Sequence, residues 1–114
     1  MSLSLTTRHV SNALVIDMAG KVTLYDDSLH QCVRRSLAEG ERRLVLNLHD
    51  VFYMDSAGLG QLVTVYTTVM TAGGKLRLLA PGPRVRHLLS ITKLDTVLTI
   101  IENEAAISDT TSAA

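Results

Sequence analysis

The stretch from Leu44 to Ala80 constrains the fold of this chain more than any other. It opens on Leu44-Val45-Leu46-Asn47-Leu48, too apolar for a strand with one wet face. That pattern belongs to a central strand covered on both faces, as in parallel sheets. Met54-Asp55-Ser56-Ala57-Gly58-Leu59-Gly60 then leads into the clearest helical period of the chain: Leu59, Leu62, Val63, Tyr66, Val69 and Met70. Gly73-Gly74 ends that helix, and Lys75 to Ala80 reads as another strand. A buried strand, a helix and a second strand in this order form a crossover unit, and its hand is expected to be right.

The flanking segments extend the same plan. Leu3, Leu5 and Thr7 alternate with polar neighbours as an edge strand does, and Asn12 marks a turn into an apolar strand from Ala13 to Met18, stopped by Gly20. The short connection predicts an antiparallel hairpin. A helix is expected from about Asp26 to Glu39, with Leu29, Cys32, Val33 and Leu37 on one face and Gly40 as its left-handed cap. Pro81-Gly82-Pro83 forms a turn with Pro83 as the first residue of a short helix carrying Val85, Leu88 and Leu89. A last strand around Val97 to Ile101 and a turn or short helix over Asn103 to Ile107 follow. The alternation predicts a single α/β domain, a mixed β-sheet of four to five strands flanked by helices. The domain is expected over residues 1–108, with 109–114 a flexible tail that has nothing to bury.

Several function classes fall away. Eleven basic and eleven acidic residues cancel, which leaves none of the basic footprint of a nucleic-acid binder. Arg34-Arg35 and Arg42-Arg43 read as a helix face and the start of a strand, balanced by Glu39 and Glu41. The lone Cys32 falls on a helical apolar stripe, so it is expected in the core, with no disulfide and no cysteine metal cluster. No leader and no run of membrane-spanning length is visible, so the expected setting is the cytoplasm, without membrane insertion. His9, His30, His49 and His87 are scattered without metal-ligand spacing, and His49 is expected in a loop. Ser56 has no Gly-x-Ser-x-Gly elbow around it, and Gly58-Leu59-Gly60 does not continue into a phosphate-binding loop. No catalytic residue, cofactor or metal is assigned, and the chain is not expected to be an enzyme.

The start of the second helix admits two registers. With Ser56 as N-cap, the flanking pair would be Asp55 and Gly60, which make no apolar contact. With Asp55 as N-cap, Met54 and Leu59 form a hydrophobic staple. The second register is favoured, and it leaves the Ser56 hydroxyl unused in the first helical turn. Gly58 and Gly60 are each unfavourable in a helix by up to about 1 kcal/mol. They make sense where another backbone comes close, either the chain's own sheet or a partner. The outer face carries Gln61, Thr64, Val65, Thr67, Thr68 and Thr71, and no charged residue occurs between Asp55 and Lys75. A solvated helix face normally carries charge, so this one reads as a docking surface. The candidate partner-binding set is Asp55, Ser56, Ala57, Gly58, Gly60, Gln61, Thr64, Val65 and Thr68.

Taken in order, Gly20-Lys21-Val22-Thr23, Arg43 to Leu48, Tyr53 to Gly60, Gly73 to Leu78 and Val85 to Leu94 resemble the STAS domains, specifically the bacterial anti-sigma factor antagonists. The resemblance runs from about Leu14 to Ile107. It implies a mixed sheet flanked by helices and a phosphorylated serine after the aspartate, here Ser56. The implied partners are an anti-sigma factor with serine-kinase activity, bound by the unphosphorylated form, and a serine phosphatase that resets the switch. Asn47 stands where the family often has Asp, which bears on phosphorylation and leaves the fold untouched. Ala57, where many members have Ser or Thr, leaves Ser56 as the one local acceptor in the motif. The resemblance also admits a STAS module that is never phosphorylated and serves as an adaptor in a larger signalling or transporter assembly.

Overall fold

The computed structural model describes residues 3–23 and 26–108. The tail assigned to 109–114 therefore lies outside the described residues. The elements run β1 (Leu3–Val10), β2 (Ala13–Val22), α1 (Ser28–Ala38), β3 (Arg43–Met54), α2 (Ser56–Thr71), β4 (Lys75–Leu79), α3 (Pro83–Ile91) and β5 (Thr99–Ile101). Short 3-10 segments cover Leu94–Thr96 and Glu104–Ile107. One sheet holds all five strands in the order β1-β2-β3-β4-β5. β1 pairs antiparallel with β2, and each later neighbour pairs parallel. The mixed sheet and the central place of β3 follow the sequence reading.

Every crossover steps in the same direction across this sheet. Crossovers of one hand that step one way must lay their helices on one face. The large core cluster accordingly joins Leu14, Ile16, Leu44, Leu46 and Leu78 of the sheet to Leu29 and Val33 of α1, Leu62 and Val69 of α2, and Leu89 of α3. The opposite face of the sheet is covered differently. Ala13, Val15, Val45 and Leu79 form a second cluster with Ile107 from the last 3-10 helix. β3 is thus covered on both faces, as its composition demands, but by three helices on one side and a short turn on the other.

Ion pairs hold that turn in place. Arg8 donates to both carboxylate oxygens of Asp17, at 2.6 and 3.1 Å, and to both of Glu104, at 3.1 and 2.6 Å. Asn47 also donates to Asp17, at 2.7 Å, from the position paired with it in the β2–β3 register. The Arg8 hydrogen bonds hold the Asp17 carboxyl below its ordinary value, with Asn47 adding to the effect and burial opposing it. A depressed carboxylate contributes stability above its unfolded value, near pH 4, and loses it as pH falls through the folded value. Asp17→Asn is expected to lower stability by about 1 kcal/mol at pH 7, since such half-exposed pairs contribute little. That difference should shrink as pH falls below about 4 in urea titrations. A difference that stays undiminished to the acid end of the titration would mean the charge plays no part.

Four boundaries depart from the sequence reading. β2 does not stop at Gly20 but continues to Val22, with Gly20 at φ 113 and the β2–β3 register shifting on either side of it. The glycine absorbs an irregularity instead of ending the strand. β3 continues past Leu48 to Met54 and carries exposed His49, which was expected in a loop. α1 begins at Ser28, because the Asp26 carboxylate accepts from the Ser28 amide and hydroxyl at 3.0 and 2.5 Å and occupies the approach to the helix. Val97, expected in the last strand, caps the 3-10 segment and is 50% exposed. Gly40 takes the left-handed cap assigned to it, at φ 99, and Gly73, which was expected to end α2, is left-handed as well, at φ 81.

Candidate functional site

β3 delivers the chain to Met54, and Asp55 then caps α2 in extended backbone. The Asp55 carboxylate accepts from the Gly58 amide at 2.7 Å, and its carbonyl accepts from the Leu59 amide at 2.9 Å. Met54 and Leu59 both lie in the main core cluster, the staple pair of this register. Ser56 is the first helical residue and is exposed. Among the described residues its hydroxyl makes no hydrogen bond. It stands where free N–H groups and the positive helix end meet solvent.

The two glycines answer separately to the question of which backbone comes close. A Cβ on Gly58 would lie 2.0 Å from the Val22 carbonyl oxygen and 2.8 Å from its carbon. Gly58 therefore seats α2 on the end of the chain's own β2. A Cβ on Gly60 would meet nothing within 4 Å, and Gly60 is exposed. Only Gly60 presents open backbone to a visitor.

Seating the helix through Gly58 turns its face. The stripe toward the sheet is Gly58, Leu62, Val65 and Val69, with Leu59 beside it. Val65, assigned to the docking face, is 1% exposed and belongs to the core. Gly58 is buried as well, so these two residues leave the candidate surface. In exchange Val63 and Met70, expected inside, are 39% and 46% exposed. Thr64 and Thr67 lie on the outer face as expected. Their hydroxyls donate back to Gly60 and Val63, at 3.1 and 3.0 Å, and Thr68 does the same to Thr64 at 2.9 Å. The threonines therefore turn satisfied hydroxyls inward along the helix and offer methyl groups outward. Thr68 is half-buried, 3.2 Å from the His30 ring. Gln61 is also half-buried. Its amide nitrogen donates to the Thr23 carbonyl, and its amide oxygen is buried without a partner.

Sequence reasoning missed what tertiary folding sets beside this helix start. A cleft of about 360 Å³ runs between α1 and α2, lined by Asp26, Asp27 and His30 on one side and Ala57, Gly60, Gln61 and Thr64 on the other. Phe52 and Tyr53, 63% and 40% exposed, end β3 just before the cap. The Lys21 ammonium stands 6.0 Å from the Tyr53 ring centre. In a chain with so few aromatic residues, an exposed adjacent pair was a usable signal. Asn47 is bound to Asp17, and an aspartate there would set two carboxylates side by side. The Asn in this chain is matched to Asp17. Among the described residues no cluster of His, Cys, Asp or Glu fits a metal, and no helix is long and apolar enough to cross a membrane.

The STAS domain profile matches residues 4–107, and the chain belongs to that family. The anti-sigma-B factor antagonist of Bacillus subtilis (strain 168) is 31% identical over 100 residues, covering 88% of this chain and 92% of that protein. An anti-sigma factor antagonist from Mycobacterium paratuberculosis has a crystal structure with TM-score 0.80 at 21% identity, covering 93% of this chain and 91% of that one. SpoIIAA, a Bacillus cell fate determinant, matches in its phosphorylated form with TM-score 0.71 at 19% identity, covering 93% and 98%. Its unphosphorylated form, described as an anti-sigma factor antagonist, matches with TM-score 0.72 at 16% identity, covering 97% and 100%.

Proposed function

We propose that this chain is an anti-sigma factor antagonist switched by phosphorylation of Ser56. Unphosphorylated, it binds an anti-sigma factor that is also a serine kinase, through the start of α2 and its uncharged outer face. The phosphorylated form lets go, and a serine phosphatase resets it. The observation that carries this reading is the exposed Ser56 hydroxyl, unengaged beside a cap that Asp55 already supplies. The related Bacillus subtilis antagonist and the two forms of SpoIIAA support it. The residues left for docking are Asp55, Ser56, Ala57, Gly60, Gln61, Thr64 and Thr68, with Phe52 and Tyr53 alongside.

The test starts with a pulldown on the full chain to isolate the kinase partner. Incubation with that partner and ATP should then yield a single modified peptide by mass spectrometry, with the phosphate on Ser56. Modification elsewhere, or binding intact with no modified peptide, would favour the unphosphorylated adaptor instead.

A further inference from the structure

A second cleft, of about 420 Å³, lies at the end of the molecule away from Ser56. Ser56 opens α2 just past the last residue of β3, whereas this cleft gathers Arg43 and Lys75, which begin β3 and β4, and Met70 near the end of α2. Its apolar lining is Tyr66 and Met70 from α2 and Val97, with the buried Leu44 and Leu76 closing it against the core. Met70 and Val97 are about half exposed there.

Its charged lining is Arg43, Lys75 and Arg77, with no carboxylate among the lining residues. The register explains the cluster, since Arg43 pairs with Lys75 and Val45 with Arg77, setting three cations on neighbouring positions of the sheet face opposite Leu44 and Leu76. They border the cleft where β3 and β4 begin. The side chains of Arg43 and Lys75 make no hydrogen bond or ion pair among the described residues. Arg77 donates only to the Ala106 and Ile107 carbonyls, at 3.3 and 3.4 Å. Burial, and after it the charge of Arg43, hold the Arg77 guanidinium below its ordinary value, so the two like charges are within reach of each other. Elsewhere Arg8 and Arg86 are matched by carboxylates. Like charges on neighbouring strands repel unless an anion neutralises them.

We propose that this cleft binds a single-chain amphiphile with an anionic head, carboxylate or phosphate. Its tail lies against Tyr66, Met70 and Val97, and its head sits where β3 and β4 begin, beside Arg43 and Lys75. A concave site of a few hundred Å³, mostly apolar with a few convergent charges, has the make-up of a small-molecule site. A bare anion would leave the apolar lining unused, and an uncharged lipid would leave the cations unmatched.

Calorimetric titration of the full chain tests this with dodecanoate and dodecyl phosphate below their micelle concentrations, dodecanol below its solubility limit, and inorganic phosphate. One-to-one binding is expected for dodecanoate, dodecyl phosphate or both, and the tighter of the two identifies the head group. Dodecanol and inorganic phosphate should bind roughly tenfold more weakly or worse. The Arg43→Gln/Lys75→Gln double variant should weaken the amphiphile by roughly tenfold. Val97→Glu, a change at a half-exposed side chain, should do the same from the apolar side. Equal affinity for dodecanol and dodecanoate would overturn the proposal, as would equal affinity for inorganic and dodecyl phosphate. So would unchanged affinity in both variants. The absence of saturable binding would also overturn it, including the case where the chain dimerises in ultracentrifugation and Val97→Glu separates the copies.

Discussion

Ser56→Asp is expected to abolish binding to the anti-sigma partner while the circular dichroism spectrum and Tm stay nearly unchanged. A phosphate at this position brings roughly −1.5 to −2 charges. In the free domain the helix end offsets part of that, by about 0.3–1 kcal/mol, while Asp55 next door opposes it. Against an uncharged docking face the balance is worse, because an unpaired charge taken out of water costs several kcal/mol. Only about 2.8 kcal/mol is needed for a hundredfold loss of affinity. The exposed, unbonded hydroxyl explains why the fold should not notice the change. Ser56→Ala should bind normally and accept no phosphate. If Ser56→Asp unfolds the domain, the serine is structural and the switch fails.

Gly58→Ala should produce the largest loss of stability of any single methyl added to this chain's site. The added carbon would sit 2.0 Å from a backbone oxygen, and backbone does not swing aside as a side chain does. Either α2 or the end of β2 must move, at a cost of about 3 kcal/mol or more. In a domain of this size that lowers Tm by roughly 10–20 °C. Gly60→Ala is the matched control, two residues on with open space around it. It should raise stability by roughly 0.5–1 kcal/mol, as glycine is a poor helix former. Urea melts of the two variants should therefore move in opposite directions, and a shared direction would contradict the seating of the helix. If Gly60→Ala also weakens partner binding, its bare backbone is where the partner approaches.

The same seating explains what the sequence could and could not tell. The crossover unit was legible because Leu44 to Leu48, the glycine caps and the helical period each point the same way. The orientation of α2 was legible only in part. Leu59, Leu62 and Val69 of the helical period are buried, but Val63 and Met70 are exposed while Gly58 and Val65 go inside. Glycine contributes nothing to a hydrophobic pattern, although here its lack of a side chain decides which face goes in. The ends of β2 and β3 were misplaced for a related reason. Gly20 and Asp50 resemble breaks but sit in strands held by their pairing partners, and His49 lies at the register shift between the paired Asn47 and Asp50. The cleft beside Ser56 needs the α1 start, a contact that pattern alone does not supply. The exposed hydroxyl was readable, because the cap register rests on residues adjacent in sequence.

The sheet order has a kinetic side. Each strand pairs with the strand before it in the chain, so the sheet assembles by adding neighbours, each step closing a modest loop. The Arg8–Glu104 contact is different, since it joins residues 96 apart and brings the last turn onto the first hairpin. A link that waits for the rest of the sheet contributes little to the transition state for folding. It acts on the way out, slowing unfolding and leaving the rate of folding almost untouched.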